Sequence, residues 1–105
     1  MKRLLLFLLL LTTPAWAGEE HDHDRAERAL RSGEVMPLGR ILEAIERDFQ
    51  GDFLEVELEG EHGRWVYEVK LLSPQGSVLK LVYDARTAEL LKARGHGVDT
   101  ARRKP

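Results

Sequence analysis

The sequence contains no cysteine, and this absence excludes disulfide bonds and cysteine nucleophiles. It also lacks a convincing Ser–His–Asp arrangement. Ser32, Ser73 and Ser77 each stand next to glycine or proline, which is typical of turns and helix caps. We therefore expect no enzymatic activity and no required cofactor.

Long hydrophobic runs are also missing, apart from one near the amino terminus. That run, Leu4–Leu11, has eight residues, whereas a membrane-spanning helix needs about 20. It follows Lys2 and Arg3 and precedes Ala15-Trp16-Ala17, which is the layout of a secretory signal peptide. We predict that residues 1–17 are removed and that the protein is periplasmic. The alternative is an uncleaved amino-terminal anchor.

Basic residues are slightly outnumbered by acidic ones. After cleavage, 88 residues remain, with 14 basic and 18 acidic residues and a formal charge of −4. This balance disfavours nucleic acid as a partner, since phosphate binding needs a basic face. Stable membrane insertion after cleavage is not expected either. Without disulfides, a single small domain must be stabilised by its core alone.

Residues 18–35 are interpreted as a polar leader and a short helix. The segment 18–24 is acidic and lacks large apolar residues, so we expect it to be mobile. A short helix over residues 25–31 should end at Gly33.

The leader also holds the most suggestive metal-ligand cluster in the chain, His21, Asp22, His23 and Asp24. Imidazole and carboxylate groups bind divalent transition metals. Two histidines at i and i+2 of an extended segment point the same way. The cluster supports an alternative hypothesis in which the protein binds a divalent metal weakly, or responds to one.

A strong helical pattern starts after Pro37. Apolar residues recur with the spacing of one helical face. They are Leu38, Ile41, Leu42, Ile45 and Phe49. The segment Gln50-Gly51-Asp52 should end this helix.

The next four segments are predicted to be strands, most of them because apolar and polar residues alternate along them. In the first, Leu54, Val56 and Leu58 share one side, opposite Glu55, Glu57 and Glu59. The next two form a hairpin around Ser73-Pro74-Gln75-Gly76, a sequence that favours a turn. Their apolar sides are Trp65, Tyr67, Val69 and Leu71, and Leu79, Leu81 and Tyr83. A short strand at residues 89–92 follows.

Short links between these strands favour antiparallel pairing. The predicted fold is therefore α+β and two-layered, with the amino-terminal helices packed on one face of a four-stranded antiparallel sheet. Its predicted core comprises Leu38, Ile41, Leu42, Ile45, Phe49, Leu54, Val56, Leu58, Trp65, Tyr67, Val69, Leu79, Leu81, Tyr83 and Leu90. The basic tail, residues 93–105, is predicted to be disordered.

The order of these segments resembles the PepSY domain family. The matching stretches are LGRILEAIERDF (38–49), LEVELE (54–59), WVYEVKLL (65–72) and LVYDARTAEL (81–90). We predict a PepSY-like domain over residues 36–92. One departure is Ala88, which stands where the family pattern has glycine. If that position needs a positive φ angle, alanine should cost about 1 kcal/mol.

The resemblance implies a non-catalytic regulatory module that binds a protein. The implied partner is a peptidase that it restrains, as an inhibitor-like module, or the sensor domain of a two-component system. The alternation predicts that Glu55, Glu57 and Glu59 are exposed, and we interpret them as candidate partner-binding residues. A general acid/base pair is disfavoured, because their spacing is that of a solvated strand face.

Overall fold

The computed structural model describes residues 15–104, with side chains from residue 23 onward. The described elements, in chain order, are α1 (Ala15–Arg31), α2 (Leu38–Asp48), β1 (Asp52–Glu61), β2 (Arg64–Leu72), β3 (Val78–Asp84), β4 (Leu90–Arg94) and α3 (Val98–Ala101). The predicted α+β class, with two helices followed by a four-stranded antiparallel sheet, is confirmed. Residues 1–14 of the predicted signal peptide lie outside the described part, so cleavage after Ala17 stays a prediction.

Helix α1 is longer than the sequence pattern predicted. Its backbone is helical from Ala15 to Arg31, so the helix predicted over residues 25–31 extends back through the leader at 18–24, whose mobility stays a prediction. Over its full length the helix contains four alanine, three glutamate and three arginine residues, which favour helix, although residues 18–24 themselves hold no alanine or arginine. The predicted end at Gly33 is confirmed. Gly33 has φ 80°, and the Glu34 amide donates to the Ala29 carbonyl at 2.9 Å, as in a Schellman motif.

Helix α2 agrees with the predicted amphipathic helix. Ile41, Ala44 and Ile45 are buried on it, and they belong to one hydrophobic cluster with residues of β2 and β3. The predicted burial of Leu38 is wrong, because this first residue of the helix is 43 % exposed and burial of the helical stripe starts one turn later. Tyr83 of β3 adds a polar link, since its hydroxyl donates to the Asp48 carboxylate at 2.8 Å.

The sheet has the strand order β1-β2-β3-β4, with antiparallel neighbours throughout. The β1–β2 turn uses His62 and Gly63, whose φ angles are 49° and 80°, as a tight type I′ hairpin requires. The β2–β3 turn is the predicted one. Gly76 has φ 91°, and the Ser73 amide donates to the Ser77 carbonyl at 2.8 Å.

The register of β1 explains a second error in the predicted core. A bulge between Phe53 and Glu55 shifts the pairing of β1 with β2. Phe53 lies opposite Leu71 and packs against the cluster, whereas Leu54 is 52 % exposed. Because the side-chain period of a strand is two, a one-residue bulge moves the preceding positions to the other side. Simple alternation therefore gave the wrong side for Leu54.

The carboxyl-terminal segment is ordered in the described residues, so the prediction of a disordered tail over 93–105 is wrong there. Helix α3 buries Ala101 completely. Phe49 and Arg102 form an antiparallel bridge, in which the Gln50 amide donates to the Ala101 carbonyl at 2.8 Å. The Arg102 guanidinium also lies 5.7 Å from the centre of the Phe49 ring. A buried alanine and backbone pairing fix this segment without a large aromatic residue.

Ala88 gives a testable consequence of the β3–β4 turn. Its φ angle is 66°, in the left-handed region that glycine adopts at lower cost. We expect Ala88→Gly to raise the free energy of unfolding by about 0.5–1 kcal/mol and the melting temperature by a few degrees. The matched control is Ala93→Gly in β4, which should lower stability because glycine weakens a strand. A melting temperature lowered equally by both changes would contradict strain at Ala88.

Among the described residues, no helix has the length and apolar content needed to cross a membrane.

Candidate functional site

One side of the sheet carries mainly charged residues, and we call it the charged face. It consists of the strand positions that face away from the hydrophobic cluster. Val66 and Val82 belong to it although they are only 1 % and 6 % exposed. Register places its residues in cross-strand rows. The rows are Glu59, Val66 and Asp84; Glu57, Glu68, Val82 and Lys92; and Glu55, Lys70, Lys80 and Arg94. Carboxylates therefore concentrate on β1, and basic side chains occupy the row nearest the β2–β3 turn.

The structure brings the three predicted partner-binding residues together on this face. Glu55 and Glu57 are exposed and Glu59 is half-buried. Glu55 pairs with Lys70, with 3.5 Å between the carboxylate oxygen and Nζ. Such an exposed pair contributes little to stability, but it partly neutralises one of the three carboxylates.

Glu57, Glu59 and Glu68 form the most crowded part of the face. Their nearest ligand oxygens all lie within 4.8 Å of one another. Glu57 and Glu68 are direct cross-strand partners, an arrangement in which like charges repel. Lys80 relieves part of this repulsion, since its Nζ lies 3.6 Å from the Glu68 carboxylate. The remaining excess of negative charge belongs to β1.

This crowding changes the protonation of Glu59. The pKa of its carboxyl is raised above the ordinary value of 4.5, first by a hydrogen bond with the Glu57 side chain, then by burial, and then by the negative charges of Glu68, Glu57 and Glu61. A raised carboxyl pKa in the folded state means that ionisation of Glu59 opposes folding. The ionised form of Glu59 is thus maintained at a cost in stability.

Glu59→Gln should therefore stabilise the protein slightly at neutral pH. Below the unfolded-state pKa of the carboxyl the cost is absent, and it appears as the pH rises through the higher folded-state pKa. We expect a gain below about 0.5 kcal/mol at pH 7, because solvent screens this half-exposed group. The gain should disappear below pH 4. Urea unfolding at both pH values measures it, with Glu89→Gln as the control for loss of one charge elsewhere. A gain independent of pH would contradict the assignment.

The candidate metal ligands of the leader lie on α1. His23 and Asp24 are exposed, and the side chains of His21 and Asp22 lie outside the described part. The backbone is helical there, and positions i and i+2 of a helix do not face each other. The extended geometry on which the metal hypothesis depended is therefore absent from the described backbone.

The serines take the structural roles that the sequence predicted. The Ser32 hydroxyl donates to the Ala29 carbonyl at 3.2 Å, at the end of α1. The hydroxyls of Ser73 and Ser77 lie 2.8 Å apart in the β2–β3 turn, and that of Ser77 donates to the His96 carbonyl at 2.6 Å. Each of these hydroxyls closes a turn or helix end.

A cleft that sequence reasoning missed lies between the end of α1 and the β1–β2 turn. It has a volume of about 610 Å³, and Arg28, Glu34, His62 and Arg64 are among its lining residues. Trp65 lines it as well, and its indole nitrogen donates to the Glu34 carboxylate at 3.1 Å. Trp65 is therefore half-buried rather than a full core residue, whereas Tyr67 is 4 % exposed. The cleft depends on where α1 packs, and local sequence pattern does not specify that position.

The helix and the four strands together match a known protein family. Residues 35–94 match the PepSY family, described as "Peptidase propeptide and YPEB domain". The chain belongs to the PepSY family. Neither the curated proteins nor the solved structures gave a match.

The PepSY match covers α2 and all four strands, and it agrees closely with the predicted range of 36–92. It begins at Val35, which is 3 % exposed, and it ends with β4. Membership indicates a module of the peptidase-propeptide or regulatory type, and such domains are generally inhibitory or regulatory rather than catalytic. Helix α1 and the segment around α3 lie outside the matched range.

Proposed function

We propose that this PepSY protein is an exported, non-catalytic regulatory module that binds a protein partner in the periplasm. The partner is a peptidase that it restrains or the sensor domain of a signalling system. The observation that carries the proposal is the series of carboxylates on β1. Glu57 and Glu59 lie close together there, while Lys70 and Lys80 pair with Glu55 and Glu68. A concentrated field of one sign favours association with a partner of the opposite sign.

Export is supported by the basic, apolar and small-residue segments that make up residues 1–17. Amino-terminal sequencing of the protein recovered from periplasm tests this part of the proposal. We expect a first residue of Gly18, and a membrane-associated protein that still begins at Met1 would overturn it.

The binding role is tested on a partner recovered from periplasm with the full chain and then purified separately. We expect the triple change Glu55→Gln, Glu57→Gln and Glu59→Gln to slow association about tenfold or more at low salt. The salt dependence of the rate should also shrink. Dissociation and fold stability should change less, since exposed charges contribute little to stability. Stopped-flow mixing at several salt concentrations measures these rates.

A charge-matched control separates the effect of this face from that of net charge. Glu43→Gln, Glu46→Gln and Glu89→Gln remove the same three charges from other exposed positions. This control should associate at close to the wild-type rate. Equal slowing by both triple variants would mean that net charge alone governs association, and wild-type association of the first variant would exclude the charged face.

A further inference from the structure

Strand β1 is an edge of the sheet. It pairs with β2 on one side, and within residues 15–104 no strand pairs with its other side. No described backbone hydrogen bond from outside the sheet ladder reaches residues 52–61. An edge strand leaves a row of amide and carbonyl groups that another extended segment can pair with. β1 has ten residues, twice the length of the opposite edge strand, β4.

The core is also less well covered along β1 than in the middle of the sheet. Val56 and Leu58 face the hydrophobic cluster but are only half-buried. Val69 and Leu71, on the neighbouring strand, are each 1 % exposed. An additional strand beside β1 would cover this remaining apolar surface if its inward residues were apolar. The sheet therefore lacks cover on the side where its backbone groups are unpaired.

The outer positions of β1 define the charge of the missing neighbour. Glu55, Glu57, Glu59 and Glu61 follow one another at every second residue, in register with the even-numbered residues of β2. Basic residues of an added strand would lie opposite these carboxylates, and opposite charges across strands stabilise a sheet. A second copy of this chain is disfavoured, because pairing β1 with β1 would place two acidic rows side by side.

We propose that β1 accepts an extended segment of the partner protein in which basic and apolar residues alternate. The segment would pair with residues 55–61, since the bulge between Phe53 and Glu55 interrupts the strand before that point. Its basic side chains would extend the charged face, and its apolar side chains would cover Val56 and Leu58. Peptide recognition by strand addition gains affinity from main-chain bonds and specificity from alternate side chains. This inference rests on the proposed protein-binding function and specifies its mode.

The opposite edge does not compete for the same segment. β4 is five residues long and has its own irregularity, between Val82 and Tyr83 of the β3–β4 pairing. Its residues on the charged face are Lys92 and Arg94, which lie in register with Val82 and Lys80. A basic segment would meet like charge there, so charge directs it to β1.

The test uses synthetic peptides with the full chain. The probe is a capped seven-residue peptide in which lysine and valine alternate, and its binding is measured by fluorescence anisotropy. Two variants of this peptide carry N-methyl groups, on every lysine or on every valine. In a strand the amides of alternate residues point to opposite edges, so each variant removes the donors of one edge and keeps the charge. A peptide that alternates glutamate and valine is the control for charge.

We expect the lysine–valine peptide to bind, the glutamate–valine peptide not to bind, and one N-methylated peptide to lose binding at least tenfold more than the other. The N-methylated peptide that loses binding identifies which edge of the peptide pairs with β1. This edge also gives the strand direction, because a parallel and an antiparallel peptide with their lysines on the same face present opposite edges to β1. Glu55→Gln, Glu57→Gln and Glu59→Gln together should raise Kd about tenfold, and the control triple at Glu43, Glu46 and Glu89 should not.

Three results would overturn strand addition. They are no binding of the lysine–valine peptide at millimolar concentration, equal binding of both N-methylated peptides, and equal weakening by the two triple variants. Because these experiments need no natural partner, their failure is distinguishable from failure of the proposed function. If only the proposed function fails, the peptides bind as expected, but the triple glutamine variant associates with the partner at the wild-type rate.

Discussion

Replacement of Ile41 or Ile45 by alanine should lower the free energy of unfolding by about 2–5 kcal/mol. The two side chains are 0 % and 1 % exposed, and both belong to the cluster that includes residues of β2 and β3. Each change removes three carbon atoms and leaves a cavity that close-packed neighbours refill only in part. The free energy of unfolding of a small domain without disulfides is about 5–10 kcal/mol, so either variant should lose a large part of its stability. Urea unfolding followed by circular dichroism measures the change.

Leu38→Ala is the matched control on the same helix. Leu38 is 43 % exposed, so its truncation removes less buried surface and should cost below about 1 kcal/mol. If all three variants unfold at the same urea concentration as the wild type, α2 does not contribute to the core as described. If Leu38→Ala is as destabilising as the isoleucine variants, the assignment of the buried stripe is wrong.

Gly51→Ala, in the link between α2 and β1, should be strongly destabilising. A Cβ atom at this position would lie 2.5 Å from the Leu72 carbonyl oxygen and 2.9 Å from Cγ of Leu71. The carbonyl belongs to the backbone and cannot move without disturbing the end of β2. The φ angle of 150° adds strain for any residue with a Cβ atom. We expect a loss of about 3 kcal/mol or more.

Gly63→Ala separates steric overlap from backbone strain. Gly63 has a φ angle of 80°, but a Cβ atom there meets nothing within 4 Å. Its replacement should therefore cost only the conformational strain, about 1 kcal/mol. Thermal unfolding of both variants gives the comparison. Equal losses would show that the close approach of Gly51 to Leu72 is not what makes glycine necessary there.

Much of the fold follows from local pattern in the sequence. Helix α2 and strands β2 and β3 were predictable because their apolar positions recur at periods of 3.6 and two, and because Pro37 and Gly76 mark a helix start and a turn. The exposure of Leu54 was not predictable. The bulge that exposes it depends on how β1 pairs with a distant strand, and a single strand pattern holds no information about its partner.

The ends of the chain were predicted least well, for a related reason. Residues 18–24 are polar and residues 95–104 lack large apolar side chains, which is typical of disorder. In the structure, helical backbone continues through the first segment. The second is fixed by backbone bonds to Asp48 and Gln50 and by the buried Ala101. Such tertiary contacts outweigh local composition.

The candidate site, too, was predictable from the sequence only in part. Placement of Glu55, Glu57 and Glu59 on one side of β1 followed from alternation alone. Their crowding with Glu68 and the partial neutralisation by Lys70 and Lys80 required the register of three strands. The position of β1 at an edge of the sheet follows from the strand order, which the short links between successive strands already favoured.

Hydrogen exchange of the full chain, with and without its purified partner, tests the central claim most directly. If the partner docks on the edge of β1, amide protection should increase over residues 55–61 and change little in α2 and β4. The triple glutamine variant should show the same pattern only at higher partner concentration. Protection confined to α1, α2 or β4, with residues 55–61 of β1 exchanging as in the free protein, would contradict the account.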